Sequence, residues 1–122
     1  MLTTKAVGDK GEARALAHLQ RAGLELVERN YRVARGPRVR GGEIDLVLRA
    51  RDGTLVFVEV RQRAVDAYGG AAASVSYTKQ RSLVLAAQHY LRRYSTPPPC
   101  RFDVIAIDGE RLEWLAGAFD AS

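Results

Sequence analysis

The hydrophobic and polar positions alternate most regularly in two neighbouring runs, Gly41-Gly42-Glu43-Ile44-Asp45-Leu46-Val47-Leu48-Arg49-Ala50 and Thr54-Leu55-Val56-Phe57-Val58-Glu59-Val60-Arg61. A period of two marks strands, and Arg51-Asp52-Gly53 between them fits a three-residue hairpin loop with Gly53 in the left-handed position. Setting Ala50 opposite Thr54 pairs Ile44 with Val60, Leu46 with Val58 and Leu48 with Val56 on one apolar face. A slip of one residue destroys that match, so the pattern selects this register. On the other face Asp45 then lies across from Glu59, with Cβ atoms roughly 4.5–5.5 Å apart.

The rest of the chain supplies elements on either side of this hairpin. Helix formers run from about Thr4 to Ala22, with Ala13, Leu16, Ala17 and Leu19 at helical spacing, before Gly23 closes the segment. Leu24 to Val33 reads as a first strand, with Asn30 a candidate bulge or strand end. A second helix spans Ser76 or Thr78 to Tyr94 and buries Leu83, Ala87, Tyr90 and Leu91. Pro97-Pro98-Pro99 ends it, and strands follow over Arg101–Ile107 and Leu112–Leu115, with a turn at Asp108-Gly109 and a tail ending near Phe119. The strand-helix-strand passage from Thr54 to Ile107 predicts a right-handed crossover between parallel strands. The expected class is α/β, a mixed central sheet flanked by helices, in one domain over residues 1–122.

Charge adds a partner class to this picture. The chain carries 19 Lys and Arg against 14 Asp and Glu, a net charge of +5 and a pI near 9.8, which favours polyanions. Five arginines, Arg29, Arg32, Arg35, Arg38 and Arg40, fall between residues 29 and 42 with no acid among them, in a stretch broken by Gly36-Pro37. Arginine forks suit phosphate oxygens, although a solvated basic loop has the same composition. Residues 62–74, with Tyr68-Gly69-Gly70, read as a loop able to act as a lid. No apolar run approaches a membrane span, and Met1-Leu2-Thr3-Thr4-Lys5 lacks the apolar stretch of a signal peptide, so the expectation is a cytoplasmic protein that does not enter a membrane. Cys100 is the one cysteine, which excludes an internal disulfide and a thiolate metal site; a buried, reduced thiol at a strand start is expected. His18 and His89 lie on different helices and read as ordinary surface or core residues.

The acid pair is the candidate chemistry. Two facing carboxylates repel and push one pKa upward unless a positive charge lies between them, and Mg²⁺ binds through one or two carboxylates, waters and substrate phosphate oxygens. Two acids at a solvated sheet edge are the bland alternative. Glu12, on the apolar stripe of the first helix, is open to two readings: a capping box with Asp9, or a third acid of the site. Gly8 and Gly11 either mark the helix start or permit a close approach. Lys79 falls in the first turn of the second helix, where the macrodipole disfavours cations and favours anions.

The order helix, strand, acidic hairpin, helix, strand, with Asp45 on one strand and Glu59-Val60-Arg61 on the next, resembles the PD-(D/E)XK nuclease core, a restriction-endonuclease-like fold. More narrowly, Gly8-Asp9-Lys10-Gly11-Glu12, Arg29-Asn30-Tyr31-Arg32, Gly42-Glu43-Ile44-Asp45-Leu46, Val56-Phe57-Val58-Glu59-Val60-Arg61, Tyr68-Gly69 and Arg101-Phe102-Asp103-Val104 look like the bacterial YraN-like proteins, which are similar in fold to archaeal Holliday junction resolvases. The resemblance implies Mg²⁺, or Mn²⁺, held by Asp45, Glu59 and the Val60 carbonyl with Glu12 completing the cluster, and DNA cleavage, on branched or structured DNA if the likeness extends to substrate. Arg32, Arg35, Arg38, Arg40, Arg63, Lys79 and Arg81 are the expected nucleic-acid contacts. A homodimer is a further expectation carried by the resolvase likeness.

The superfamily motif normally ends in Lys where this chain has Arg61. Arginine stays charged, so it cannot become a base. It can stabilise a pentavalent phosphorus, or pair with Glu43 across the hairpin, while Lys79, or Lys10, supplies the ammonium. The alternative function is a nucleic-acid-binding module without catalysis.

Overall fold

In the computed structural model, which describes residues 4–34, 36–37, 41–62 and 75–121, the chain runs α1 (Thr4–Arg21), β1 (Glu25–Val33), β2 (Gly42–Arg49), β3 (Leu55–Gln62), α2 (Tyr77–Leu91), β4 (Cys100–Asp108) and β5 (Arg111–Phe119). The strands form one sheet in the order β1-β2-β3-β4-β5. Only β3 and β4 are parallel; the other three pairings are antiparallel. The passage through α2 therefore does join parallel strands, as the strand-helix-strand order requires. This is a mixed α/β sheet, consistent with a restriction-endonuclease-like core.

The hairpin register is the expected one. Leu46 faces Val58, Val47 faces Phe57, Leu48 faces Val56 and Arg49 faces Leu55. Its loop is closed by Ala50 N–H donating to the Thr54 carbonyl and Gly53 N–H to the Ala50 carbonyl, both at 2.9 Å, with Gly53 at φ 92°.

Each sheet face carries its own core. Ala15 and Leu19 of α1 pack on Leu46, Leu48, Val56, Val58, Ile105 and Ile107. Leu83, Val84, Ala86, Ala87 and Tyr90 of α2 pack on Ile44, Val47, Leu55, Phe57 and Phe102. Ile44 therefore departs from the expected apolar face. It joins Val47 and Phe57 under α2, whereas Leu46, two residues on, lies under α1. Its neighbour Gly42 explains the tight fit there: a side chain at residue 42 would strike the Ser82 carbonyl and the Ala86 amide of α2.

Three local expectations are corrected. Asp9 lies inside α1, which begins at Thr4, so an Asp9–Glu12 capping box has no helix end to cap. Cys100 stands at the start of β4 as expected, but it is exposed. The last strand reaches Phe119, not Leu115, because Phe119 stacks on Phe102 with ring centroids 5.0 Å apart and Gly117 N–H donates to the Asp103 carboxylate at 2.9 Å.

Asp103 is a buried anchor for that last strand. Fully shielded from solvent, it accepts hydrogen bonds from Arg101 Nε (3.1 Å), Trp114 Nε1 (2.9 Å) and the Gly117 amide. Charged and neutral donors together satisfy a carboxylate that would otherwise be costly to bury.

Candidate metal and phosphate site

The β2–β3 pairing runs from the turn to Leu46–Val58, and the two acids lie just past its end. There the Val60 N–H donates to Asp45 Oδ2 at 2.8 Å. A strand amide thus turns to a side chain. A hydrogen bond between the Asp45 and Glu59 side chains is the smallest of the influences on their titration, lowering Asp45 and raising Glu59.

Burial drives this titration. Glu59 is 3% exposed on the central strand, and desolvation, followed by the charge of Asp45, pushes its carboxyl up to about 8 against the opposing pull of Lys79 and Arg61. Asp45 is also raised, chiefly by burial and secondarily by Glu43, while the Val60 amide and Lys79 pull it down. Burial and the neighbouring carboxylate both disfavour a second negative charge on the pair.

Positive charge does reach the pair from two elements. Lys79 Nζ lies 3.7 Å from Glu59 Oε1, and Arg61 Nη1 lies 4.0 Å from the same oxygen. Lys79 is held in the first turn of α2, where its backbone N–H caps onto Ser76 Oγ at 3.1 Å. Arg61 keeps a buried Nε with no hydrogen-bond partner among the described residues, a donor left for a ligand oxygen. The Glu43 carboxylate goes to Arg32, its cross-strand neighbour, at 3.7 Å; the described Arg61 ion pair is with Glu59, not Glu43.

An open cavity of about 490 Å³ lies between the start of β2 and the start of α2, with Arg32, Glu43, Ser76, Thr78, Lys79 and Ser82 in its wall, and Lys79 links it to Glu59. Hydroxyls, an ammonium and a guanidinium around one hollow are suited to phosphate oxygens.

The profile of the uncharacterised protein family UPF0102 matches residues 11–107. The chain belongs to that family. UPF0102 relatives match it along nearly its whole length: a protein of Methylibium petroleiphilum is 74% identical over 122 residues, covering all of both chains. One of an Acidovorax species is 65% identical, covering 98% of this chain and 89% of its own, and one of Cupriavidus pinatubonensis is 63% identical, covering 97% and 88%.

Of the residues singled out in this UPF0102 sequence, the fold brings Asp45, Glu59, Arg61 and Lys79 together. Glu12 stands on α1 beside Gly11, which is pressed against the Gln62 side chain at the end of β3. Its Oε1 is shielded from solvent. Among the described residues, no three Asp, Glu, His or Cys side chains converge into one metal-binding group. Arg32 lines the cavity and Arg81 is exposed on α2. Arg35, Arg38, Arg40, Arg63 and the Tyr68-Gly69-Gly70 stretch lie outside the described residues. No helix among the described residues is long and apolar enough to cross a membrane.

Sequence reasoning missed Asp103 and the aromatic partners of the two histidines. Tyr31 Oη and His89 Nδ1 are 2.6 Å apart, and His18 meets Trp114 edge to face at 5.8 Å. Side chains from different elements make each contact, and no local spacing announces them.

Proposed function

We propose that this protein is a divalent-metal-dependent endonuclease of the PD-(D/E)XK type acting on DNA. The reading is carried by one observation: a buried, hydrogen-bonded acid pair just past the end of a strand pairing, with two cations on one of its oxygens. The donor set fits Mg²⁺ or Mn²⁺. It is all oxygen, Asp45 and Glu59 with the Val60 carbonyl beside them, and hard cations of this kind take few protein ligands and fill the remainder with water and phosphate. Burial and the Asp45 charge raise the Glu59 carboxyl to about 8, a shift that a bound cation would oppose.

A divalent ion in this position would acidify a water and neutralise charge on the phosphodiester. Lys79 and Arg61 hold a non-bridging phosphate oxygen at the same edge, and Arg61 stabilises charge there without acting as a base. Arg32, with the serine and threonine hydroxyls of the cavity, positions the flanking backbone. Glu12, midway along α1, is the remaining acid able to approach through a water.

A cleavage panel tests this. Purified protein with Mg²⁺ or Mn²⁺ is incubated with single-stranded, duplex, flap and four-way DNA, with Asp45→Ala as control. Cleavage lost in the control supports the reading, and cleavage of branched forms above linear duplex supports the resolvase likeness. Absence of cleavage on every substrate refutes it.

Arg61 favours a second reading, a binding module without turnover. Salt-dependent retention on DNA, no cleavage, and activity gained by Arg61→Lys would establish it.

A further inference from the structure

Asn30 is the one non-glycine residue with positive φ among the described residues, at 53°. It sits between Arg29, paired with Leu46, and Tyr31, paired with Ile44. That register places it directly opposite Asp45.

On both strands, side chains change sides of the sheet at this opposed pair. In β2, Ile44 packs under α2 and Leu46 under α1. In β1, Tyr31 packs under α2 with Ile44, and Arg29 shares the side of its partner Leu46. Residues two apart on a regular strand share a face, so both strands turn over at this rung; β1 also carries a separate bulge nearer its start, between Leu26 and Glu28. The register is unbroken from Arg29–Leu46 to Tyr31–Ile44, and β2 has to follow β1 through the turn. Of the two residues on this rung, Asn30 adopts the left-handed backbone, which asparagine tolerates far better than most residues. The irregular strand is thus β1, and Asp45 is the residue it re-aims.

We propose that Asn30 is a positioning residue: its left-handed backbone turns β1 and β2 over together and so brings the Asp45 carboxylate to Val60 and Glu59. Without the turn, strict alternation would return Ile44 to the face of Leu46 and leave Asp45 in the ordinary pleat. The role rests on the reading of Asp45 and Glu59 as metal ligands, but the placement itself is independent of any ion.

Two measurements keep these apart. The first is a metal-free double-mutant cycle in melting temperature, Asp45→Asn with Glu59→Gln, in native, Asn30→Gly, Asn30→Ala and Asn30→Val backgrounds. The second is Mn²⁺ affinity by electron paramagnetic resonance in the same four backgrounds, at a temperature where all are folded. Glycine accepts positive φ without a Cβ, so Asn30→Gly should keep the non-additivity of the cycle and stay within a few-fold of native Mn²⁺ affinity. Asn30→Val should lose the non-additivity and bind Mn²⁺ at least tenfold more weakly, with Asn30→Ala intermediate; if the valine variant does not fold, alanine against glycine decides. Equal behaviour of glycine and alanine in the cycle overturns the positioning role. Absence of Mn²⁺ binding by native protein overturns the metal reading, and the cycle still decides the role of Asn30.

Discussion

The Lys79 ammonium lies 3.7 Å from Glu59 Oε1 although the two residues are 20 positions apart and on different elements. A cation at a helix start, locally unfavourable, has its acid on the central strand. Arg61 contacts the same oxygen from β3 itself, so the site has both an arginine at the motif position and a lysine from α2.

Lys79→Met should therefore impair DNA cleavage more than DNA retention. Loss of a preorganised charge at a reacting phosphate costs about 10²-fold in turnover, and Lys79→Arg should recover part of it. Single-turnover cleavage set beside a binding titration checks this; equal losses in both would make Lys79 a simple phosphate contact.

Glu59 makes the metal-free protein more stable in mild acid. Its carboxyl is raised from 4.5 in the open chain to about 8 when folded, so between these values the folded state binds more protons. Stability is fully present below about 4.5, falls as pH rises, and is lost through pH 8. Thermal melts in chelator from pH 5 to pH 9 should show this slope, and Glu59→Gln should flatten it. Mn²⁺ affinity should rise over the same window because binding displaces the proton.

Asp103 is an acid of a different kind. With its three donors left facing a void, Asp103→Ala should cost about 3–5 kcal/mol, read by urea unfolding. Cleavage per folded molecule should be retained, in contrast to Asp45→Ala.

Arg32→Ala removes a cavity-lining guanidinium that lies at 3.7 Å from Glu43 and is otherwise exposed. DNA binding should weaken to a similar degree across sequences, and the slope of log affinity against log salt should shrink by about one. An unchanged slope would take Arg32 out of the phosphate path.

The hairpin register was legible because alternation on two strands and a glycine at the turn constrain each other. Parallel β3 and β4 were legible from a helix between two apolar strands. Lys79 was legible through its odd place at a helix start. The change of faces at residue 45 was not, since a hydrophobic pattern carries no backbone dihedral; Asn30, expected as a bulge or strand end, is neither, because β1 runs on to Val33 in unbroken register and its bulge lies between Leu26 and Glu28. The Asp9–Glu12 capping box failed because Gly8 sits within a helix that begins four residues earlier, at Thr4. The length of β5 was hidden because it depends on Asp103 and Phe102, across the sheet.

Because β2 and β3 pair from the turn up to Leu46–Val58 while the acids lie past that point, and β1 and β4 hold the two strands there, the hairpin is built like a rigid fork, joined at one end with the acids on separate tines. Asp52→Ala, which removes the acceptor of the Thr54 amide at 3.0 Å, should lower the melting temperature and leave the tines in place. Changes in that loop therefore act on stability without reaching the acids.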